Sequence, residues 1–232
     1  MDYHYIDGDL PLRRVRGQRL IRVLGLLFFL AGPGKGFLAL GGIVKNRLLE
    51  AVENDDLIMA VKDDGGLEEA IRSKHKVVFL LYGDILNIPQ IVSRIHAKRK
   101  LAVVHLDLIE GLSPQEVSVD FIKKSANADG LISTRPKLIQ RASEIGLPSI
   151  LRFFLIDSLY LHNIKKSMER GKPDMVEILP GLAAGLIEEV KNTTSLPVIA
   201  GGLIRNREDY VQAMESGAVA VSTSSKELWK ED

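Results

Sequence analysis

Residues 196–204 read LPVIAGGLI, and residues 217–224 read GAVAVSTS. Both are short runs rich in β-branched residues, which is typical of buried strands. The runs end in small residues, namely Gly201, Gly202, Ser222, Thr223 and Ser224. Residues 207–216, between the two runs, predict a helix. This order predicts a parallel βαβ unit with glycines and hydroxyls at the carboxyl ends of its strands.

The same alternation extends back from this unit to residue 46. Strands are predicted at Leu57–Lys62, Val77–Tyr82, Leu101–Leu108, Gly130–Ser133, Ser149–Phe153, Met175–Leu179, Val198–Ala200 and Val219–Ser222. The intervening segments predict helices, among them Ile88–Lys98, Pro136–Ile145, Ser158–Arg170, Leu182–Thr193, Arg207–Ser216 and Lys226–Lys230. Ser113-Pro114-Gln115-Glu116 predicts a helix that starts with a capping box.

Eight βα units without a linker predict an α/β protein, a TIM-type (β/α)₈ barrel. Its loops must be short, because residues 46–232 are fewer than the about 250 residues typical of the fold. A doubly wound open sheet is the alternative.

The composition excludes some kinds of site and limits where a nucleic acid could bind. The 232 residues include no cysteine, which excludes disulfides, cysteine-bound metal sites and thiol catalysis. Residues 1–45 carry seven Lys and Arg against three Asp and Glu, whereas residues 46–232 carry 24 against 27. The predicted barrel is therefore slightly acidic, so a nucleic-acid-binding surface on it has to be a local basic patch.

Residues 1–45 differ from the rest of the chain in charge and in sequence pattern. An arginine-rich stretch precedes the apolar run Val23–Ala31, an order that is also found in secretory signal peptides. Val23–Val44 is long enough to span a membrane but is interrupted by proline, lysine and glycines. We expect a non-functional extension, explained by a true start near Val44, followed by a single barrel domain over residues 46–232.

The two C-terminal strand ends predict a phosphate site. In barrels of this kind a phosphate often lies in the loops after the seventh and eighth strands. Glycines let backbone N–H groups approach the anion, and Ser and Thr hydroxyls donate to it. The predicted phosphate ligands are Gly201, Gly202, Ser222, Thr223 and Ser224; two ordinary tight turns are the alternative. Gly201→Val is expected to abolish ligand binding and leave the fold largely intact.

Other strand ends carry polar side chains that suit the hydroxyls of a ligand. His105 and Asp107 follow one apolar strand, although His105 can also be a core residue and Asp107 a helix cap. Arg152 can meet the anion or pair with Glu177, whose apolar surroundings demand a partner. Asp84, Asp107 and Glu177 also suit a hard cation, but neither a metal nor a catalytic residue is assigned.

Six segments resemble one known family, the glycerol-3-phosphate-responsive antiterminators of the glycerol uptake operon. They are HLDLIEGL (105–112), DGLIST (129–134), RFFLIDS (152–158), PDMVEILPG (173–181), IAGGLI (199–204) and STSSKELW (222–229). The resemblance covers about residues 50–230 and does not include residues 1–45.

The resemblance implies a cytoplasmic bacterial regulator without enzymatic activity, cofactor or membrane contact. Such a protein binds glycerol 3-phosphate and then the leader mRNA of glycerol-utilisation genes, which prevents premature termination. Homodimerisation can be part of this response. The phosphate would lie on Gly201, Gly202 and Ser222–Ser224, and the hydroxyls would meet Asp107, Glu177 and His105.

An enzyme that acts on a phosphorylated polyol or sugar is the alternative function, because fold alone does not decide between them. His105, Asp107 and Glu177 would then be acid–base or metal-binding residues. For the regulator, the sequence offers several basic patches and no basis for choosing among them: Lys98-Arg99-Lys100, Lys123-Lys124, Arg135/Lys137/Arg141, Lys165-Lys166 and Arg205/Arg207.

Overall fold

The computed structural model describes residues 47–155 and 159–230. Eight parallel strands form a closed barrel in chain order, with β8 paired to β1. The strands are β1 Leu57–Val61, β2 Val77–Leu80, β3 Leu101–His105, β4 Gly130–Ser133, β5 Ser149–Phe154, β6 Met175–Leu179, β7 Val198–Gly201 and β8 Ala220–Thr223. The predicted TIM-type barrel is confirmed, and the closed strand order excludes an open sheet.

A helix follows each strand from β1 to β7, and residues 47–54 form a further helix before β1. The helices are α1 Asp64–Arg72, α2 Ile88–His96, α3 Glu116–Lys124, α4 Pro136–Glu144, α5 Leu159–Gly171, α6 Ala184–Thr193 and α7 Arg207–Glu215. Within the residues described, no helix is both long and apolar enough to cross a membrane. The predicted extension over residues 1–45 lies outside the described residues.

The strands are apolar on both faces because each face packs against a different layer. One buried cluster joins strand residues such as Val104 to the surrounding helices. A second joins strand residues such as Val103 to Leu48 of the 47–54 helix, and it fills the barrel interior. Since side chains alternate along a strand, the residue two positions after each interior residue also points inward. This rule decides which polar residues enter the barrel.

Three local predictions were wrong. The strand from Leu101 ends at His105, and Leu106–Leu108 form a 3₁₀ turn. The helix expected from Ser113 begins at Glu116 without a side-chain cap, because the backbone first makes a tight turn from Gln115 N to Ser113 O (2.8 Å). Lys226–Lys230 form turns rather than a regular helix.

These C-terminal turns bury Trp229, the chain's one tryptophan, which is 3% exposed. Its indole Nε1 donates to Thr223 O at 3.0 Å and so ties the turns to the end of β8. Trp229→Phe is expected to lower the free energy of unfolding by about 1–3 kcal/mol, because it removes a buried hydrogen bond and leaves part of the space of the indole unfilled. Urea unfolding followed by circular dichroism measures the change.

Phe154→Leu is the matched control, since Phe154 lies at the exposed end of β5. It is expected to change the free energy of unfolding by less than about 0.5 kcal/mol. Equal losses in the two variants would show that the indole hydrogen bond contributes nothing particular.

Candidate functional site

Four polar side chains enter the barrel interior near the carboxyl ends of the strands. His105, Arg152, Glu177 and Ser222 each lie two residues after an interior apolar residue of the same strand. All four are buried. The tertiary structure therefore gathers predicted site residues from β3, β5, β6 and β8 into one polar layer. Polar side chains at this end of a barrel mark the usual location of a functional site.

Glu177 is the centre of this layer and is fully buried. Arg152 Nε donates to Glu177 Oε2 at 2.6 Å, and Ser222 Oγ donates to Glu177 Oε1 at 2.5 Å. Of the two alternatives for Arg152, the structure shows the pairing with Glu177. Ser222 was predicted as a phosphate ligand, but its hydroxyl is engaged by the carboxylate.

Gly201 is glycine for steric reasons that the sequence does not reveal. A Cβ atom at this position would lie 2.5 Å from Glu177 Oε1 and 2.7 Å from Ser222 Oγ. A valine would therefore disturb the buried polar layer as well as any bound anion. The structure thus contradicts the expectation that Gly201→Val leaves the fold largely intact.

His105 is held in its neutral form. Burial lowers its pKa to about 4, and the positive charge of Arg152 adds to the effect. Asp107 and Glu177 act in the opposite direction. The His105 Nδ1 atom is buried and has no hydrogen-bond partner among the described residues, and it lies 3.9 Å from Asp107 Oδ2. A neutral imidazole beside a carboxylate can donate to, or accept from, a ligand hydroxyl.

The lowered pKa of His105 predicts a pH-dependent stability. The unfolded chain takes up a proton near pH 6.5, whereas the folded chain resists it down to about pH 4. The unfolded state therefore binds more protons within this window, and stability should fall as the pH drops through it. His105→Gln should reduce this loss of stability, which urea unfolding at a series of pH values between 6.5 and about 4 measures. Parallel curves for the two proteins would contradict the assignment.

Asp107 is bound by the loop that follows β4. Ser133 Oγ and Thr134 N donate to its carboxylate at 3.0 and 2.7 Å, and Thr134 Oγ1 donates at 3.1 Å. Arg135 Nε lies 3.6 Å from Asp107 Oδ1. The alternative that Asp107 caps the next helix is wrong, because Gln115 precedes α3. Sequence reasoning missed the role of Ser133 and Thr134, whose only signal is their position at a strand end.

The loop after β7 presents backbone N–H groups. Gly202 and Leu203 both have left-handed backbones, with φ of 75° and 63°. No described group accepts a hydrogen bond from the N–H of Leu203 or Ser224. Left-handed backbone at a non-glycine residue is strained, and such strain concentrates at functional sites. Gly181 N donates to Gly201 O at 2.6 Å and braces the loop from β6.

Thr223 and Ser224, the remaining predicted phosphate ligands, differ in their surroundings. Thr223 Oγ1 donates to Ile204 O at 2.7 Å and accepts from Ser225 N at 3.0 Å. Its hydroxyl therefore joins the ends of β7 and β8. Ser224 is exposed just beyond β8. Of the three predicted hydroxyls, that of Ser224 is the one left at the surface.

The carboxylates weighed for a hard cation are not gathered. Asp84 Oδ1 accepts from Leu86 N and Asn87 N at 2.7 and 2.9 Å, which holds its own loop. Within residues 47–155 and 159–230, no three His, Asp or Glu side chains are placed to share a metal ion.

A closed (β/α)₈ barrel with a buried polar layer and an N–H-rich loop at its carboxyl end is the architecture of a small-molecule-binding barrel. The family to which this chain belongs is described as the glycerol-3-phosphate responsive antiterminators, and the match covers residues 57–229.

Three relatives illustrate the similarity. An uncharacterized protein, YgcP, from Escherichia coli K12 is 39% identical over 182 residues, which cover 78% of this chain and 95% of that protein. A solved glycerol uptake operon antiterminator regulatory protein from Listeria monocytogenes is 31% identical, with a TM-score of 0.75 over 77% of this chain and 97% of that one. A solved antiterminator-related protein from Thermotoga maritima is 33% identical, with a TM-score of 0.69 over 76% and 99%.

Proposed function

We propose that this protein senses glycerol 3-phosphate in the cytoplasm and, with the ligand bound, binds the leader mRNA of glycerol-utilisation genes and prevents premature termination. The observation that carries the proposal is membership of the antiterminator family across the whole barrel. The ligand can shift the protein towards an RNA-competent state only if it binds that state more tightly than the other. Homodimerisation is a further proposed part of this response.

The phosphate of the ligand is assigned to the loops after β7 and β8. The N–H groups of Leu203 and Ser224 would donate to its oxygens, together with the Ser224 hydroxyl. The hydroxyls of Ser222 and Thr223 do not bind the phosphate and instead hold the strand ends in place. Gly201 supports the site because it leaves room for the Glu177 carboxylate. The free N–H groups in a braced loop support this assignment.

The hydroxyls of the ligand are assigned to the polar layer and its rim. Neutral His105 and the Asp107 carboxylate lie 3.9 Å apart and offer a donor and an acceptor. Arg152 and Glu177 lie in the same layer and set its charge. No cofactor is needed for binding of this kind.

The contacts of Glu177 support a sensor over the alternative enzyme. Both of its oxygens are engaged, one by Arg152 and one by Ser222, and the side chain is fully buried. A general base must reach the proton that it abstracts. Glu177 would have to break its ion pair first, whereas a structural anchor does not.

Calorimetric titration of the full chain with glycerol 3-phosphate tests the ligand, with glycerol and inorganic phosphate as controls. Saturable binding without turnover, with or without Mg²⁺, supports the sensor. Leader RNA is then titrated with and without the ligand, and the protein mass is measured in both states. Turnover that is lost in Glu177→Gln would establish the enzyme instead, and no binding would remove the assigned ligand.

A further inference from the structure

Two basic loops lie side by side at the amino end of the barrel, opposite the candidate ligand site. Residues 72–76 read RSKHK and lead into β2, and residues 98–100 read KRK and lead into β3. Leu101 N donates to Lys76 O at 2.8 Å, so the loops are directly joined. Their exposed cations form what we call the basic face: Arg72, Lys74, Lys76, Lys98 and Arg99. Residues 72–76 were not among the patches predicted from sequence.

The neighbouring carboxylates are turned towards the backbone. Asp55 accepts from His75 Nδ1 at 2.6 Å and from Lys76 N at 2.5 Å. Asp129 accepts from the ring of His96 at 2.7 Å and from Ala102 N at 2.8 Å. His96 is therefore part of this support. Both carboxylates hold the loops in place.

A buried cation fixes the first loop. Lys100 is 4% exposed, and its Nζ donates to the carbonyls of Ser73 and His75 at 2.5 Å each. Arg99 beside it has a left-handed backbone, with φ of 59°. Lys100 therefore acts as an internal clamp, and the exposed cations are presented on a pre-ordered backbone. Pre-ordering reduces the entropy that binding has to overcome.

Two cavities, of about 310 and 530 Å³, adjoin the first loop and share Lys74 as a wall. Six cations line them together, against three carboxylates: Arg47, Arg72, Lys74, Lys76, Lys226 and Lys230, against Glu50, Asp55 and Glu69. Two of these carboxylates are already engaged, Asp55 by His75 and Glu69 by Lys226. The concave surface thus has an excess of positive charge.

Two of the four other basic patches hold ion pairs within the protein. Arg141 Nη2 lies 3.0 Å from Asp120 Oδ1, and Lys137 Nζ lies 3.2 Å from Glu116 Oε1. Lys123 Nζ donates to the carbonyl of Ile145. The basic face brings five exposed cations together, whereas the two remaining patches hold two each, so it is the better-supported choice among the cationic surfaces of the described barrel.

The occupant that this surface fits is a polyanion. Among the described residues, the large apolar side chains that remain exposed lie elsewhere: Ile85, Leu86, Leu108, Val117, Phe154, Leu203 and Val211. Protein interfaces are anchored by buried apolar and aromatic residues, which the basic face lacks. Phosphates need only exposed Lys and Arg.

We propose that the basic face binds the phosphate backbone of the leader RNA, at the end of the barrel opposite the glycerol 3-phosphate site. This inference rests on the proposed function, from which it takes the RNA. Ligand and RNA then bind to separate ends of one barrel and do not compete for the same residues.

Two charge reversals of equal size test the proposal. Lys76→Glu/Arg99→Glu alters the basic face, and Lys165→Glu/Lys166→Glu alters an exposed pair on α5. The probe is the transcribed leader of the glycerol-utilisation operon from the same genome, with saturating glycerol 3-phosphate. The basic-face variant should bind the RNA about tenfold or more weakly. The slope of its log affinity against log salt concentration should fall by the amount that corresponds to about two phosphate contacts. The α5 variant should bind like the unmodified protein.

Glycerol 3-phosphate affinity and the melting temperature should be unchanged in both variants. If the basic-face variant fails to fold, Lys76→Gln/Arg99→Gln replaces it. Equal RNA affinity in the two variants, with the unmodified protein binding, would overturn this proposal alone. An unmodified protein that binds glycerol 3-phosphate but no RNA would overturn the RNA part of the proposed function and this proposal with it.

Discussion

Arg152→Met is expected to lower the free energy of unfolding by about 3–5 kcal/mol. Glu177 is fully buried, and Arg152 Nε is its cationic partner at 2.6 Å. Methionine fills much of the same space but leaves the carboxylate without a counter-charge in the barrel interior. An uncompensated buried charge is far more costly than a missing apolar contact. Urea unfolding at neutral pH measures the loss.

The double variant Arg152→Met/Glu177→Gln is the control for this result. Glutamine removes the charge and keeps an oxygen that accepts from Ser222. Replacing both members of a buried ion pair is often neutral, so the double variant should recover most of the lost stability. A single variant that loses less than about 1 kcal/mol would show that the pair does not organise the interior.

Gly202→Ala is expected to weaken glycerol 3-phosphate binding by about 10-fold to 100-fold. Gly202 has φ of 75°, and an alanine there costs about 1–2 kcal/mol or else relaxes the loop and turns the N–H group of Leu203 away from the ligand. A hydrogen bond to a charged group contributes about 1.5–3 kcal/mol, which is at least tenfold in affinity. Calorimetric titration measures the affinity.

Gly217→Ala separates this effect from backbone strain. Gly217 also has a left-handed backbone, with φ of 98°, but it lies in the connection from α7 to β8 at the other end of the barrel. A Cβ atom there meets the flexible end of Lys191, which can move aside. Gly217→Ala should lose similar stability and keep full ligand affinity. Equal affinity losses in both variants would remove Gly202 from the site.

The barrel itself could be predicted from the sequence because its strands are short, apolar and regularly spaced. Parallel strands are buried on both faces, so each appears as a nearly continuous apolar run such as Val198–Ala200. The predicted strands at Gly130–Ser133 and Met175–Leu179 match the structure at both ends. The boundary at His105 was wrong because the apolar pattern continues into a 3₁₀ turn, and periodicity does not distinguish the two.

The candidate site could be predicted only as a set of strand ends. That Glu177 needed a partner followed from a carboxylate in an apolar strand. Which atoms it meets did not follow, because Arg152 and Ser222 are 25 and 45 residues away in the chain. Ser222 supports Glu177 rather than a phosphate because its hydroxyl donates to the Glu177 carboxylate, and the sequence does not reveal that direction.

The sequence by itself determined the strand count, the apolar layers and the family resemblance, because these depend on local pattern and residue order. The tertiary structure alone decided which polar groups meet. It placed Asp107 against the loop after β4 and Lys100 beneath the carbonyls of Ser73 and His75. The physical reason is that barrel closure brings distant segments together, and each buried polar atom then takes the nearest partner that satisfies it.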